Sequence, residues 1–284
     1  MNRACLAGLE VGDGREVAVM GALNLSAASF YAGSVVASRD ALLATAEAML
    51  SSGAAILDVG AMSTAPYLDG ALEPQREADM LGEAILLLAR KLGAPVSADT
   101  SRALPARAAL EAGARIVNDV RGLTADPGLA RTVAESGAGL IVMASERGGH
   151  EESAPIATVL ELLAESLTLA AQAGIAAERV VVDPGIGFFR RRGIPWYAWD
   201  CAVLAALPEL RALGRPVCVG ASRKSFIGAL YPPADDPGDR LPGSLAAATA
   251  AVLGGAHLIR AHDVPATMQA VRVAQAIRDA GAAA

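Results

Sequence analysis

Apolar and polar positions fall into one unit that recurs seven times: a helix-like stretch, a glycine, a short apolar run, then a polar residue. The runs are AAILDVG after Gly53, APVSADT after Gly93, ARIVNDV after Gly113, AGLIVMAS after Gly137, IAAERVVVDPG after Gly174, RPVCVGASRK after Gly214 and AHLIRAHD after Gly255. An earlier run, VAVMGALN, ends at Asn24 and supplies an eighth strand. Glycine suits the left-handed position just past a helix, and short Val/Ile/Leu runs suit strands buried on both faces. No linker or break in composition divides these units. They predict a (β/α)8 TIM barrel, one domain over residues 1–284 with the barrel proper at about 17–275.

Between the strands the apolar period changes to that of helices. Leu42, Leu43, Ala46, Met49 and Leu50 share one face after an N-cap at Ser38. Residues 101–112 and 126–136 repeat the pattern, and residues 157–173 predict the longest helix, with Val159, Leu160, Leu162, Leu163 and Leu167 as its stripe. Two segments break the alternation. Residues 61–75 are rich in turn formers, and residues 188–200 (FFRRRGIPWYAWD) join three arginines to Trp196, Tyr197 and Trp199. Both follow strands, on the face where this fold carries its binding loops. The stretch PPADDPG at 232–238 reads as a surface loop.

A barrel's active site lies at the C-terminal ends of its strands, where Asn24, Asp58, Asp99, Asn118, Asp183, Lys224 and Arg260 fall. Asp99, Asn118 and Asp183 each end an apolar strand and should enter one mouth. A carboxylate there can accept two hydrogen bonds from the N–H/NH2 edge of a flat heterocycle; the alternative is that each acid satisfies loop backbone. Lys224 can offset charge on a ligand. Arg260 and His262 alternate onto one side as two donors, beside the loops that bind phosphate in this fold, unless Arg260 pairs with Asp263. Asn24 offers a neutral oxygen suited to Mg2+ carried by phosphates.

Composition narrows the partners. The chain is 53% apolar but only 4% aromatic, and its net charge of -6 argues against nucleic acid. Cys5, Cys201 and Cys218 form neither a metal spacing nor a disulfide framework, the N-terminus lacks a signal peptide, and the uncharged span Leu241–Ile259 reads as a helix and a strand of the barrel. A cytoplasmic protein with no membrane segment is expected.

In chain order, MGALNLSAASF (20–30), AAILDVGAMST (54–64), VSADTSRALPARAALEAGARIVNDVRG (96–122), VVVDPGIGF (180–188), VCVGASRKSFIG (217–228) and IRAHDV (259–264) resemble the dihydropteroate synthase family of pterin-binding barrels. The resemblance implies a transferase that joins 6-hydroxymethyl-dihydropterin pyrophosphate to an arylamine and releases pyrophosphate. It implies that Asp99, Asn118, Asp183 and Lys224 hold the pterin, with Lys224, Asp99 and Arg260 as the catalytic set. Asn24 with Mg2+, Arg260 and His262 would hold the pyrophosphate, and Thr64 and Ser222 would lie beside the substrates. A homodimer is expected on the same ground.

The departures from the family pattern cluster. Asn-x-Thr-Pro-Asp-Ser-Phe becomes Asn24-Leu-Ser-Ala-Ala-Ser-Phe30, and Ser-Thr-Arg-Pro-Gly becomes Ser63-Thr64-Ala65-Pro66-Tyr67. Met-His becomes Met143-Ala144, and Gly-Phe-Gly-Lys becomes Gly187-Phe188-Phe189-Arg190. The AMSTAPY and SFYAGS loops resemble the archaeal-type branch associated with tetrahydromethanopterin. That branch implies a ribofuranosyl-aminobenzene phosphate acceptor in place of p-aminobenzoate. Arg190, Arg191 and Arg192 with Tyr67 and Trp196 are the residues expected to receive it; the alternative is that they form a solvated basic loop. Two rival readings are a methyl-tetrahydropterin-dependent methyltransferase and a non-catalytic pterin-binding protein.

Overall fold

The computed structural model describes residues 1–25, 35–61, 72–147, 154–190 and 193–283. The eight expected strands are present: β3 (Ala18–Asn24), β4 (Ile56–Gly60), β5 (Val96–Asp99), β6 (Ile116–Asp119), β7 (Gly139–Met143), β8 (Val180–Asp183), β9 (Cys218–Val219) and β10 (Leu258–Ala261). They pair in parallel in the order β8-β7-β6-β5-β4-β3-β10-β9, and a parallel bridge from Val182 to Val217 closes the ring. Helices α1 (Val35–Ser51), α2 (Pro74–Lys91), α3 (Ala103–Glu111), α4 (Pro127–Ser136), α5 (Pro155–Gln172), α6 (Trp196–Ala205), α7 (Ser225–Leu230), α8 (Leu241–Leu253) and α9 (Val264–Ala283) follow the strands in turn.

Alternate residues of each strand point to opposite sides, so two cores form. Val19, Leu57, Val59, Ala98, Val117, Val142, Val182 and Ile259 pack outward against the helices. Met20, Ile56, Ile116, Ile141, Val181, Cys218 and Leu258 form a separate cluster inside the ring. That second cluster explains an element the strand count did not predict. β1 (Arg3–Leu6) and β2 (Leu9–Gly12) make an antiparallel hairpin whose Ala4, Leu6 and Val11 join the inner cluster. Its turn places Ala7 (φ 53) and Gly8 (φ 90) both at positive φ, as the twist of a two-residue hairpin requires. Leu6 sits so close to Gly139 that a Cβ there would lie 2.7 Å from its Cδ2. The hairpin plugs the bottom of the barrel.

Several expectations need correction. α1 begins at Val35, so Ser38 lies inside the helix and is not its cap. The longest described helix is α9, with 20 residues, because no glycine or proline interrupts 266–280. Residues 188–200 are not a free loop: Phe189 and Trp199 are buried and stacked with ring centroids 5.0 Å apart, and α6 starts at Trp196. Residues 232–238 lie at the surface as expected, and there the chain forms two 3-10 turns held by the buried Arg240, which donates to the Ala234 carbonyl at 3.0 Å. Among the described residues no helix is long and apolar enough to cross a membrane.

Candidate active site

The site follows from the period of two. One step up each strand from the apolar plug come Ala22, Asp58, Asn118, Met143, Asp183, Gly220 and Arg260, with Asp99 one step above Ser97. This second layer holds nearly all the charge inside the ring. Arg260 donates from Nε to Asp58 Oδ2 at 2.7 Å and from Nη2 to Asp99 Oδ2 at 2.8 Å. Asn118 Nδ2 donates to the same Asp58 oxygen at 3.1 Å. Gly220 lies against the arginine stem, where a Cβ would make ordinary contact at 3.7 Å from the Cβ of Arg260. Oδ1 of Asp58 and Oδ1 of Asp99 are buried with no hydrogen-bond partner. Buried acceptors of this kind are normally satisfied, so both are open to a donor brought by a ligand.

Asp183 takes the Gly185 N–H at 2.8 Å. Gly185 and Gly187 both have positive φ, and a Cβ on Gly187 would lie 2.9 Å from Cδ of Lys224. The Lys224 stem therefore lies across this turn, with its Nζ 4.1 Å from the centroid of the Phe188 ring, a cation–π contact. On the other side, Arg223 anchors the lysine's own loop. It holds a positive φ of 54 while its side chain makes a two-pronged bond to Asp263 at 2.6 and 2.8 Å. Asp263 is thus the partner of Arg223 and not of Arg260.

Another step up lies a neutral rim. The His262 ring lies 3.1 Å through Nδ1 from Ser222 Oγ and 3.2 Å through Nε2 from Asn24 Nδ2. Burial and the Arg260 charge push His262 down to about 4, so its imidazole is neutral at pH 7. Of the two donors expected from alternation, Arg260 thus carries the charge and His262 offers a neutral imidazole. The arginine is committed to two acids, and the histidine to its neutral neighbours.

Burial dominates the remaining titrations. It pushes Asp99 up to about 7 against the pull of Arg260, and Asp183 up to about 6 against the Gly185 N–H and Lys224. It pushes Lys224 down to about 8, aided by Arg260 and opposed by Asp183, Asp200 and Asp99. Acids raised and a lysine lowered in one concavity form the pattern expected of a functional site.

Of the expected site residues, Asp99, Asn118, Asp183 and Arg260 share the second layer, Lys224 reaches it from the loop before α7, and Asn24, Ser222 and His262 share the rim. Thr64, Tyr67, Arg191 and Arg192 lie outside the described residues. Arg190 sits at the edge of the site. Its guanidinium lies 3.9 Å from the centroid of Trp196 and donates to Ser225 Oγ at 2.6 Å, and its N–H donates to Glu146 at 3.0 Å. Sequence reasoning placed Asp58 at the mouth without giving it a part, and did not find Asp200. The second could not be read from strand ends, since it lies on α6.

Comparisons with known proteins agree with this geometry. Residues 20–262 match the family described as pterin binding enzyme. The chain is 39% identical over 278 residues to the dihydropteroate synthase of Mycobacterium leprae, covering 93% of this chain and 95% of that one. It is 36% identical over 266 residues to that of Escherichia coli K12, covering 91% and 90%. The structure of the Xanthomonas albilineans dihydropteroate synthase with 4-aminobenzoic acid superposes with a TM-score of 0.84 at 34% identity, covering 97% of this chain and 98% of that one. The motifs, the barrel and the relatives agree: this chain belongs to the dihydropteroate synthase family of pterin-binding enzymes, as a transferase of that type.

Proposed function

We propose that the protein joins 6-hydroxymethyl-dihydropterin pyrophosphate to p-aminobenzoate. The observation that carries this reading is the second layer itself: buried carboxylates with open oxygens around an otherwise apolar ring. Asp183 and Asp99 accept from the pterin's N–H and NH2 groups, Asn118 adds a neutral amide, and Lys224 donates to a ring acceptor. In the reaction the bond from the pterin methylene to the pyrophosphate oxygen breaks, and the leaving group takes the electron pair. The arylamine nitrogen then forms the new C–N bond and gives up a proton. The layer contributes by orienting the ring and by meeting charge with fixed dipoles in a water-poor cleft.

Magnesium fits this arrangement in one way only. Among the described residues no cluster of three or more His, Cys, Asp or Glu forms a metal cage. Asn24 uses its amide nitrogen toward His262, which leaves its oxygen as a single neutral ligand. A cation held mostly by phosphates and water suits such a donor, and it would neutralise the leaving group.

Two points support p-aminobenzoate over the glycosylated amine. The relatives from Mycobacterium leprae and Escherichia coli carry the plain dihydropteroate synthase name, and Arg190, which would take the extra phosphate, is already engaged by Trp196 and Ser225. The test is pyrophosphate release with Mg2+, comparing p-aminobenzoate with ribofuranosyl-aminobenzene phosphate. Turnover with p-aminobenzoate is expected; turnover with the glycosylated amine alone would overturn the acceptor assignment, and release with neither would overturn the transferase reading.

A further inference from the structure

Asp200 lies on α6, outside both layers, and is fully buried. Its Oδ1 accepts the Gly187 N–H at 2.8 Å, and its Oδ2 is buried with no hydrogen-bond partner. Gly187 is the residue over which the Lys224 stem passes, and Phe188, next along, carries the lysine's cation–π contact. A single carboxylate therefore fixes the turn that forms the bed of the lysine. A buried charge is costly unless it is paired, and among the described residues Arg190 and Lys224 are the cations that act on Asp200.

We propose that Asp200 is a positioning residue for Lys224: one oxygen holds the Gly187 turn under the lysine stem, and the carboxylate charge helps keep the ammonium protonated. This rests on the proposed pterin site for its consequence in catalysis, but not for its physical content. Among the described residues, the charged groups acting on Lys224 are Arg260 from β10, Asp183 from β8, Asp200 from α6 and Asp99 from β5. Three acids hold its proton on, while burial and Arg260 drive it off. Neutralising one acid leaves the proton less tightly held, by a shift on the order of one pH unit.

The chain has two lysines, Lys91 and Lys224, so the ammonium can be titrated directly. Protein labelled with 13C-lysine shows two Nζ-adjacent carbon signals, and the exposed Lys91 on the end of α2 serves as the internal reference. Asp200→Asn keeps the acceptor for Gly187 and removes the charge. The expected result is a Lys224 titration moved down by about one unit, an unmoved Lys91, and a basic limb of kcat/KM that shifts by the same amount. Asp200→Ala also removes the acceptor, and kcat should fall further, at least tenfold below Asp200→Asn at pH 7. A Lys224 titration unchanged in Asp200→Asn would overturn the proposal, whether or not the enzyme is active. A shifted titration with an unmoved activity profile would instead count against the part given to Lys224 in the pterin site.

Discussion

Replacing Arg260 by methionine tests whether the second layer is held together by charge. The side chain is 18% exposed, and its partners Asp58 and Asp99 are at most 4% exposed. Methionine fills much of the stem's volume but leaves two buried carboxylates without their cation. Removing one partner from a buried pair costs about 3–5 kcal/mol, and the cost here depends on pH. The Arg260–Asp99 attraction exists only when Asp99 is ionised, and its pKa in the folded protein is about 7. A carboxyl raised in the folded state is worth most to stability at low pH, and that contribution is lost as pH rises through the folded value. Arg260→Met raises Asp99 further, so the loss continues to higher pH in the variant. At an effective dielectric of 20, unit charges about 4 Å apart attract by about 4 kcal/mol; partial exposure of Arg260 reduces this to about 2 kcal/mol. Urea unfolding should therefore show a deficit of about 4 kcal/mol at pH 8 and about 2 kcal/mol at pH 5. Asp99→Asn added to Arg260→Met should recover half or more of the deficit at pH 8. Equal deficits at both pH values, or one under about 1 kcal/mol at pH 8, would refute the argument.

Two further outcomes follow from the same layers. If Asp183 and Asp99 must be ionised and Lys224 protonated, kcat/KM rises between about 6 and about 7 and falls again near about 8; a flat profile from pH 6 to 9 would remove these groups from the reaction. Leu6→Ala, which empties the centre of the barrel plug, should cost about 2–5 kcal/mol in urea unfolding, with KM for the pterin changed less than threefold; a loss below about 1 kcal/mol would mean the hairpin does not seal the barrel.

The strands were legible because two separate constraints write them. Each must be apolar on both faces, and seven of the eight follow a helical stretch that ends in glycine, as Gly137 and Gly214 do with positive φ. The polar ends were legible for the same reason: an Asp or Asn closing a run of Val and Ile has few places to go but the mouth. What escaped is pairing. Nothing local says that Arg260 reaches across the ring to Asp58 and Asp99 while Asp263 turns to Arg223, because those partners are between 40 and 202 residues apart. The hairpin did leave a trace. RACLAGLEVG alternates exposed and buried positions around an Ala-Gly turn, but four-residue strands fall below the length at which periodicity separates strand from loop. Asp200 left none, since an acid in the first turns of a helix ordinarily reads as a favourable charge near its positive end.

The balance of charge in the cleft bears on how a highly anionic leaving group is handled there. Among the described residues the interior carries Asp58, Asp99, Asp183 and Asp200 against Arg260 and Lys224, and the rim above is neutral at Asn24, Ser222 and His262. An excess of acceptors favours a ligand that presents N–H groups, which is what the dihydropterin edge supplies. The same excess repels pyrophosphate unless positive charge is released or imported. Arg260 can be released only as far as the pterin relieves Asp99 and Asp58 of their need for it, by donating to the oxygens that are unsatisfied without ligand. On the proposed reading, binding of the ring and capture of the leaving group are therefore coupled through one guanidinium. The remaining deficit is what a phosphate-borne Mg2+ at Asn24 would offset.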